Sequence, residues 1–108
     1  MKIFSTDFDG TLCTNKWPDI GLPNKPLINY LIRMRAKGYK VILNTMREGE
    51  KLELAISWCK SFGLEFDAVN DNLPEMIEMF KNNPRKIYAD FYFDDHNVAG
   101  FGIKAPKG

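Results

Sequence analysis

Two carboxylates one residue apart, Asp7 and Asp9, follow the mostly apolar run Lys2-Ile3-Phe4-Ser5-Thr6, and Gly10 and Thr11 come directly after them. One acid of such a pair can act as a nucleophile and the other as a general acid and base. The apolar run reads as a buried first strand. In an open α/β sheet, ligands bind just outside the carboxyl ends of the strands, so these acids stand where chemistry happens in that architecture. Gly10 lets the backbone turn away sharply. An EF-hand reading fails, because that loop needs a glutamate at its twelfth position, and counting from Asp7 that position is Pro18.

The remaining polar candidates also follow apolar runs. Thr45 comes after Lys40-Val41-Ile42-Leu43-Asn44, and Asp94 and Asp95 come after the aromatic-rich segment 87–93. If all three runs are parallel strands, their ends share one edge and the candidates converge. The chemistry that fits is phosphoryl transfer. Asp7 would attack phosphorus and carry the phosphoryl group, while Asp9 would protonate the leaving oxygen and then activate water. Carboxylates facing a phosphate need a hard cation to offset their charge, and Mg²⁺ suits a few carboxylate oxygens plus phosphate and water. Asp94 would bind it from the second side, with Asp95 direct or through water. The Thr45 hydroxyl and nearby N–H groups would hold phosphate oxygens. Arg47 is a candidate cation that could grip a phosphate bidentately. Gly10 and Thr11 are candidate substrate contacts at the turn, where the Thr11 hydroxyl would otherwise stabilise the turn.

The elements that must position these groups follow from periodicity. Residues 12–23 have no clear period, hold two prolines and a glycine, and read as a loop crossing the site, with Trp17 either packing over it or lining a pocket. Asn24 reads as a helix cap with Pro26 in the first turn, and Gly38 as the stop. Residues 40–44 read as a buried parallel strand. Glu50 to Phe62 reads as an amphipathic helix ended by Gly63. A weaker strand is expected over 65–69, a short helix over 75–81, and an edge strand near 101–103. Strand and helix alternate, which predicts a parallel sheet with helices on both faces.

Asp-Phe-Asp-Gly-Thr at 7–11 resembles the first motif of the haloacid dehalogenase-like (HAD) superfamily of phosphatases. Thr45 resembles the second motif, and Phe91-Tyr92-Phe93-Asp94-Asp95 the acidic fourth. The match is closer to small bacterial and phage members, through Asn44-Thr45-Met46-Arg47-Glu48-Gly49-Glu50, Trp58-Cys59, Gly63-Leu64-Glu65-Phe66 and Arg85-Lys86, and it covers nearly the whole chain. The resemblance implies a three-layer Rossmann-like core with a small parallel sheet, an aspartyl-phosphate intermediate and Mg²⁺ bound by Asp7, by the Asp9 carbonyl and by the fourth-motif acids. It implies Lys86 as the catalytic lysine. On a continuous strand over 87–93, Lys86 would sit about 25 Å from Asp94 at about 3.3 Å per residue, so that role needs a strand starting near Asp90. Asp90 with Asp94 fits an alternative spacing of the fourth motif, and Asp94 with Asp95 is preferred because both follow the longest apolar stretch. His96 comes next and reads as a surface residue. Larger members insert a cap domain, but the segments 12–23 and 70–86 are too short for one. The implied site is therefore open and suits a large or extended phosphorylated substrate.

A chain of 108 residues makes one domain, 1–108. A net charge of +1 gives no bulk footprint for nucleic acid or membrane. No signal peptide or long apolar run is evident, so a cytoplasmic location is expected, with Cys13 and Cys59 as free thiols. The leading reading is a Mg²⁺-dependent phosphomonoester hydrolase. A nucleotide or nucleic-acid-end phosphatase is the alternative among enzymes, and a non-catalytic metal- or phosphate-binding module the alternative outside them. A receiver-type signalling domain is disfavoured, because its acids are adjacent on the first strand and its phosphorylated aspartate lies on the third. Homo-oligomerisation is left open.

Overall fold

The computed structural model describes residues 2–74, 77–78 and 89–94. Four parallel strands form the main sheet: β1 (Ile3–Thr6), β4 (Lys40–Leu43), β5 (Ala68–Val69) and β6 (Phe91–Phe93). Their order is β5-β4-β1-β6. All four residues of β1 are buried, which is why its sequence reads as a continuous run rather than an alternation. Phe4 pairs with Val41 on one side and Phe91 on the other.

Alternate side chains separate two cores. Phe4, Val41, Leu43 and Phe93 pack with helix α1 (Lys25–Ala36), through Leu27, Ile28 and Leu31, and with α2 (Gly49–Ser61), through Ala55 and Cys59. Ile3 and Ile42 face the other way and pack against Leu73 and Ala89. Both described helices therefore cover one face of the sheet. The helix expected over 75–81 falls mostly outside the described residues, as does the edge strand near 101–103. The fold is α/β with a small parallel sheet.

The helix boundaries follow local chemistry. The Asn24 side chain accepts from the Leu27 N–H at 3.2 Å, a cap that satisfies an otherwise orphaned donor. Gly38 and Gly63 adopt φ of +99° and +94° just past α1 and α2, a region where a Cβ is disfavoured. The strand expected over 65–69 shrinks to Ala68–Val69.

Residues 12–23 are not a loop. They form an antiparallel hairpin, β2 (Cys13–Lys16) and β3 (Asp19–Pro23), with a register irregularity between Cys13 and Asn15. Most of the hairpin is half-buried or exposed and β2 is polar after Cys13, so neither strand carries a buried apolar period, and the turn holds a cis Trp17–Pro18 bond. No helix among the described residues is long and apolar enough to cross a membrane.

Candidate active site

The chain runs from β1 through α1 to β4 and through α2 to β5, then returns to place β6 on the opposite side of β1. The direction of winding thus reverses at β1, and ligands of open α/β sheets bind at such a switch point. Asp7 is the first residue past β1. Its N–H donates to the Phe93 carbonyl at 2.9 Å, and the Asn44 N–H donates to the Thr6 carbonyl at 2.8 Å. These bonds keep all three strands in register to their ends, so Thr45 and Asp94 flank Asp7. A pocket of about 240 Å³ at this edge is lined by Ser5, Asp7, Asn44, Thr45, Met46, Tyr92, Phe93 and Asp94.

Local bonds orient the groups. Asp7 Oδ1 accepts from the Phe8 N–H at 2.7 Å. The Thr45 N–H donates to Asn70 Oδ1 at 2.7 Å, and Thr45 Oγ1 accepts from the Arg47 N–H at 3.1 Å, which leaves the hydroxyl proton to donate. Asn70 has φ of +54°, a left-handed conformation that asparagine tolerates. This support for Thr45 was missed in the sequence, where 70–74 reads only as a turn.

Asp9 and Arg47 form the second half of the site. Arg47 Nε donates to Asp9 Oδ2 at 2.8 Å and Nη2 to Asp9 Oδ1 at 2.7 Å. Nη2 also reaches the Asp19 carbonyl at 2.9 Å, and Nη1 the Pro18 and Lys51 carbonyls at 3.5 and 3.4 Å. Its guanidinium lies 5.0 Å from the Phe8 ring centroid and 4.9 Å from that of Trp17. The side chain is 1% exposed. The Asp9 hydrogen bonds hold Arg47 above its ordinary pKa against the opposing effect of burial. Arg47 was expected to grip a phosphate; in this structure it is engaged with the protein itself. Its five N–H groups all meet protein oxygens, so it orders Asp9 and the hairpin instead. Little in its sequence context shows this, because apart from Lys51, four residues on, the partners lie 28 to 38 residues away.

Gly10 and Thr11 line neither this pocket nor the one beside Asp9. Gly10, at φ of +84°, builds the turn, with its N–H on the Cys13 carbonyl at 2.9 Å. Thr11, expected as a substrate contact, is 1% exposed in the turn, and its Oγ1 meets no partner among the described residues. Trp17 both packs on Arg47 and lines the second pocket. Asp90 lies at the far end of the sheet, where its Oδ2 accepts from the Ile3 N–H at 2.7 Å and its own N–H donates to the Ile3 carbonyl at 2.8 Å. It cannot reach Asp7's edge. Strand β6 starts at Phe91, the short form that a catalytic Lys86 requires. Lys86, Asp95 and His96 lie outside the described residues.

Asp7 and Asp94 are the acidic side chains lining the pocket, and their carboxylates are oxygen donors of the kind a hard cation takes. The Asp9 side chain is turned to Arg47, so any contribution from Asp9 falls to its carbonyl. Among the described residues, no three His, Cys, Asp or Glu side chains cluster to hold an ion.

These features define a small α/β protein with an acidic site at the switch point of a parallel sheet. A solved structure of a conserved protein from Bacteroides thetaiotaomicron is similar, at 38% identity and a TM-score of 0.77, over 94% of this chain and 81% of that one. The chain belongs to the family of that protein. No family profile and no curated protein matches it.

Proposed function

We propose that the protein is a phosphomonoester hydrolase of haloacid dehalogenase type, working through an aspartyl-phosphate on Asp7. One observation carries the reading: Asp7, Thr45 and Asp94, from three separate segments, line one pocket at the switch point. Thr45 donates its hydroxyl proton to a phosphate oxygen. An Asp7 oxygen attacks phosphorus, and the bond from phosphorus to the ester oxygen breaks. Asp9, protonated from solvent once one of its bonds to Arg47 yields, gives that proton to the leaving oxygen. Water then attacks phosphorus, gives its proton to Asp9 and releases phosphate and the Asp7 carboxylate. Because both Asp9 oxygens accept from Arg47, proton transfer requires one of those bonds to yield to the leaving oxygen. Mg²⁺ held by Asp7 and Asp94 would offset the negative charge that gathers in the pocket.

The test is phosphate release from a panel of phosphomonoesters, including sugar phosphates, nucleotides and 3′-phosphorylated oligonucleotides, with Mg²⁺ and with chelator. The expected result is turnover that chelation abolishes and added Mg²⁺ restores. A folded protein that binds phosphate but turns over nothing would favour the non-catalytic module.

A further inference from the structure

A second pocket, of about 340 Å³, opens beside Asp9 and is lined by Asp9, Asn15, Trp17, Met46 and Arg47. Met46 also lines the pocket of Asp7, so the two share a wall. In the hydrolase read above, Asp9 protonates the leaving oxygen, and the pocket on its side receives the leaving group. Its lining is unusual for a surface. Trp17 is 56% exposed and Met46 97% exposed, although both are large and apolar. Exposed apolar side chains gathered at a site of chemistry mark ligand contact.

Trp17 is also fixed. It stands at the turn of the hairpin, and the neighbouring Pro18 and Asp19 carbonyls accept from Arg47, whose guanidinium lies over the Trp17 ring. With Arg47 against one side of its ring and the residue 56% exposed, Trp17 can offer a stacking platform for a planar ring, and such stacking is indifferent to which base it meets. Asn15, whose Oδ1 accepts from the Trp17 backbone N–H at 3.3 Å, keeps an amide NH₂ that can meet acceptor atoms on the edge of that ring. Met46 supplies a polarizable sulfur and flexible apolar contact.

We propose that this pocket selects a planar leaving group with a polar edge, making a nucleoside monophosphate the preferred substrate class, with Trp17 as the stacking residue and Asn15 as the edge contact. The proposal rests on the hydrolase reading.

The experiment compares kcat/KM for adenosine 5′-monophosphate, phenyl phosphate and glycerol 3-phosphate in the wild type, Trp17→Ala, Trp17→Phe, Met46→Ala and Asn15→Ala. The nucleotide is expected to exceed glycerol phosphate by about 10- to 100-fold, the range that one stacked base supplies. Trp17→Ala should collapse that ratio and Trp17→Phe restore most of it. Asn15→Ala should lower the nucleotide relative to phenyl phosphate. Met46→Ala, at a side chain almost wholly in solvent, should lower the ratio without touching the fold. Equal kcat/KM for all three substrates, or a Trp17→Ala ratio unchanged from wild type, would overturn the pocket assignment and leave the hydrolase standing. If none of the three turns over, the hydrolase reading is decided by the wider panel above, and the pocket is judged by tryptophan fluorescence. Quenching by adenosine monophosphate that Trp17→Phe removes would support it, and no quenching would overturn it.

Discussion

Arg47 holds both carboxylate oxygens of Asp9 in a forked pair, at 2.8 and 2.7 Å, from a position 38 residues later in the chain. The same guanidinium binds the Pro18 and Asp19 carbonyls, so one buried cation joins the hairpin, the turn after β1 and the start of α2. Removing one member of a buried pair leaves the other charge uncompensated, at about 3–5 kcal/mol. Arg47→Ala should therefore lose stability on that scale in urea unfolding. Its phosphate release should fall by about 100-fold or more, because Asp9 and the hairpin lose their common partner. Arg47→Lys keeps the charge but not the fork, and should recover only a small part of either loss. A lysine variant equal to wild type in both assays would mean the forked geometry is not what matters.

The hairpin offers a second way to disturb Asp9 from a distance. A methyl at Gly21 would run into the Thr14 backbone carbonyl across the hairpin. Gly21→Ala should push β2 and β3 apart, cost about 1–3 kcal/mol, and reduce turnover with Asp7, Thr45 and Asp94 untouched. Heteronuclear NMR of the variant should show shifts concentrated over residues 13–23 and at Arg47. Shifts spread evenly over the β1, β4 and β6 core would contradict this.

Asp67 predicts a pH dependence of stability. Burial raises its pKa, but the Arg35 hydrogen bond, the Val41 N–H, and the charges of Arg35 and Lys40 outweigh burial and hold it below the ordinary value. Arg35 donates to it at 3.2 and 3.0 Å and the Val41 N–H at 2.9 Å. A carboxyl lowered in the folded state stabilises that state above its unfolded pKa, about 3.9, and the contribution fades as pH falls through the folded value. Asp67→Asn should be less stable than wild type by about 1–2 kcal/mol at neutral pH, and the gap should close below about pH 4. A gap independent of pH down to acid unfolding would refute the assignment.

The cysteines should be inert. Both are buried, and burial raises the Cys13 thiol and pushes Cys59 up to about 12, with the nearby Cys13 adding to the latter. The thiolate is the reactive form, so iodoacetamide near neutral pH should label neither residue in the folded protein and both in denaturant. Rapid labelling of the native protein would show an opening that the structure does not contain.

What the sequence reveals divides along a physical line. Asp7, Thr45 and Asp94 were legible because each follows an apolar strand, and parallel strands send their ends to one edge. Asn24, Gly38 and Gly63 were legible because helix ends need a cap or a positive φ. The hairpin was not, because it is mostly half-buried or exposed and so has no buried face to impose a two-residue apolar period. Arg47 was placed near the site, but its partners within the protein were not foreseen. Its five acceptors come from Asp9, Pro18, Asp19 and Lys51, and no local pattern encodes so distributed a cage. The support Asn70 gives to Thr45 was hidden for the same reason, since the two meet only when β5 pairs with β4.

The most direct test of the central claim is to seek the covalent intermediate. The protein is mixed with a substrate it turns over, quenched in acid within a single turnover, and its peptides are analysed by mass spectrometry. The account predicts a hydroxylamine-labile phosphoryl adduct on the peptide carrying Asp7, and loss of both adduct and turnover in Asp7→Asn. Undiminished turnover in Asp7→Asn, or an adduct on another residue that survives that substitution, would contradict it.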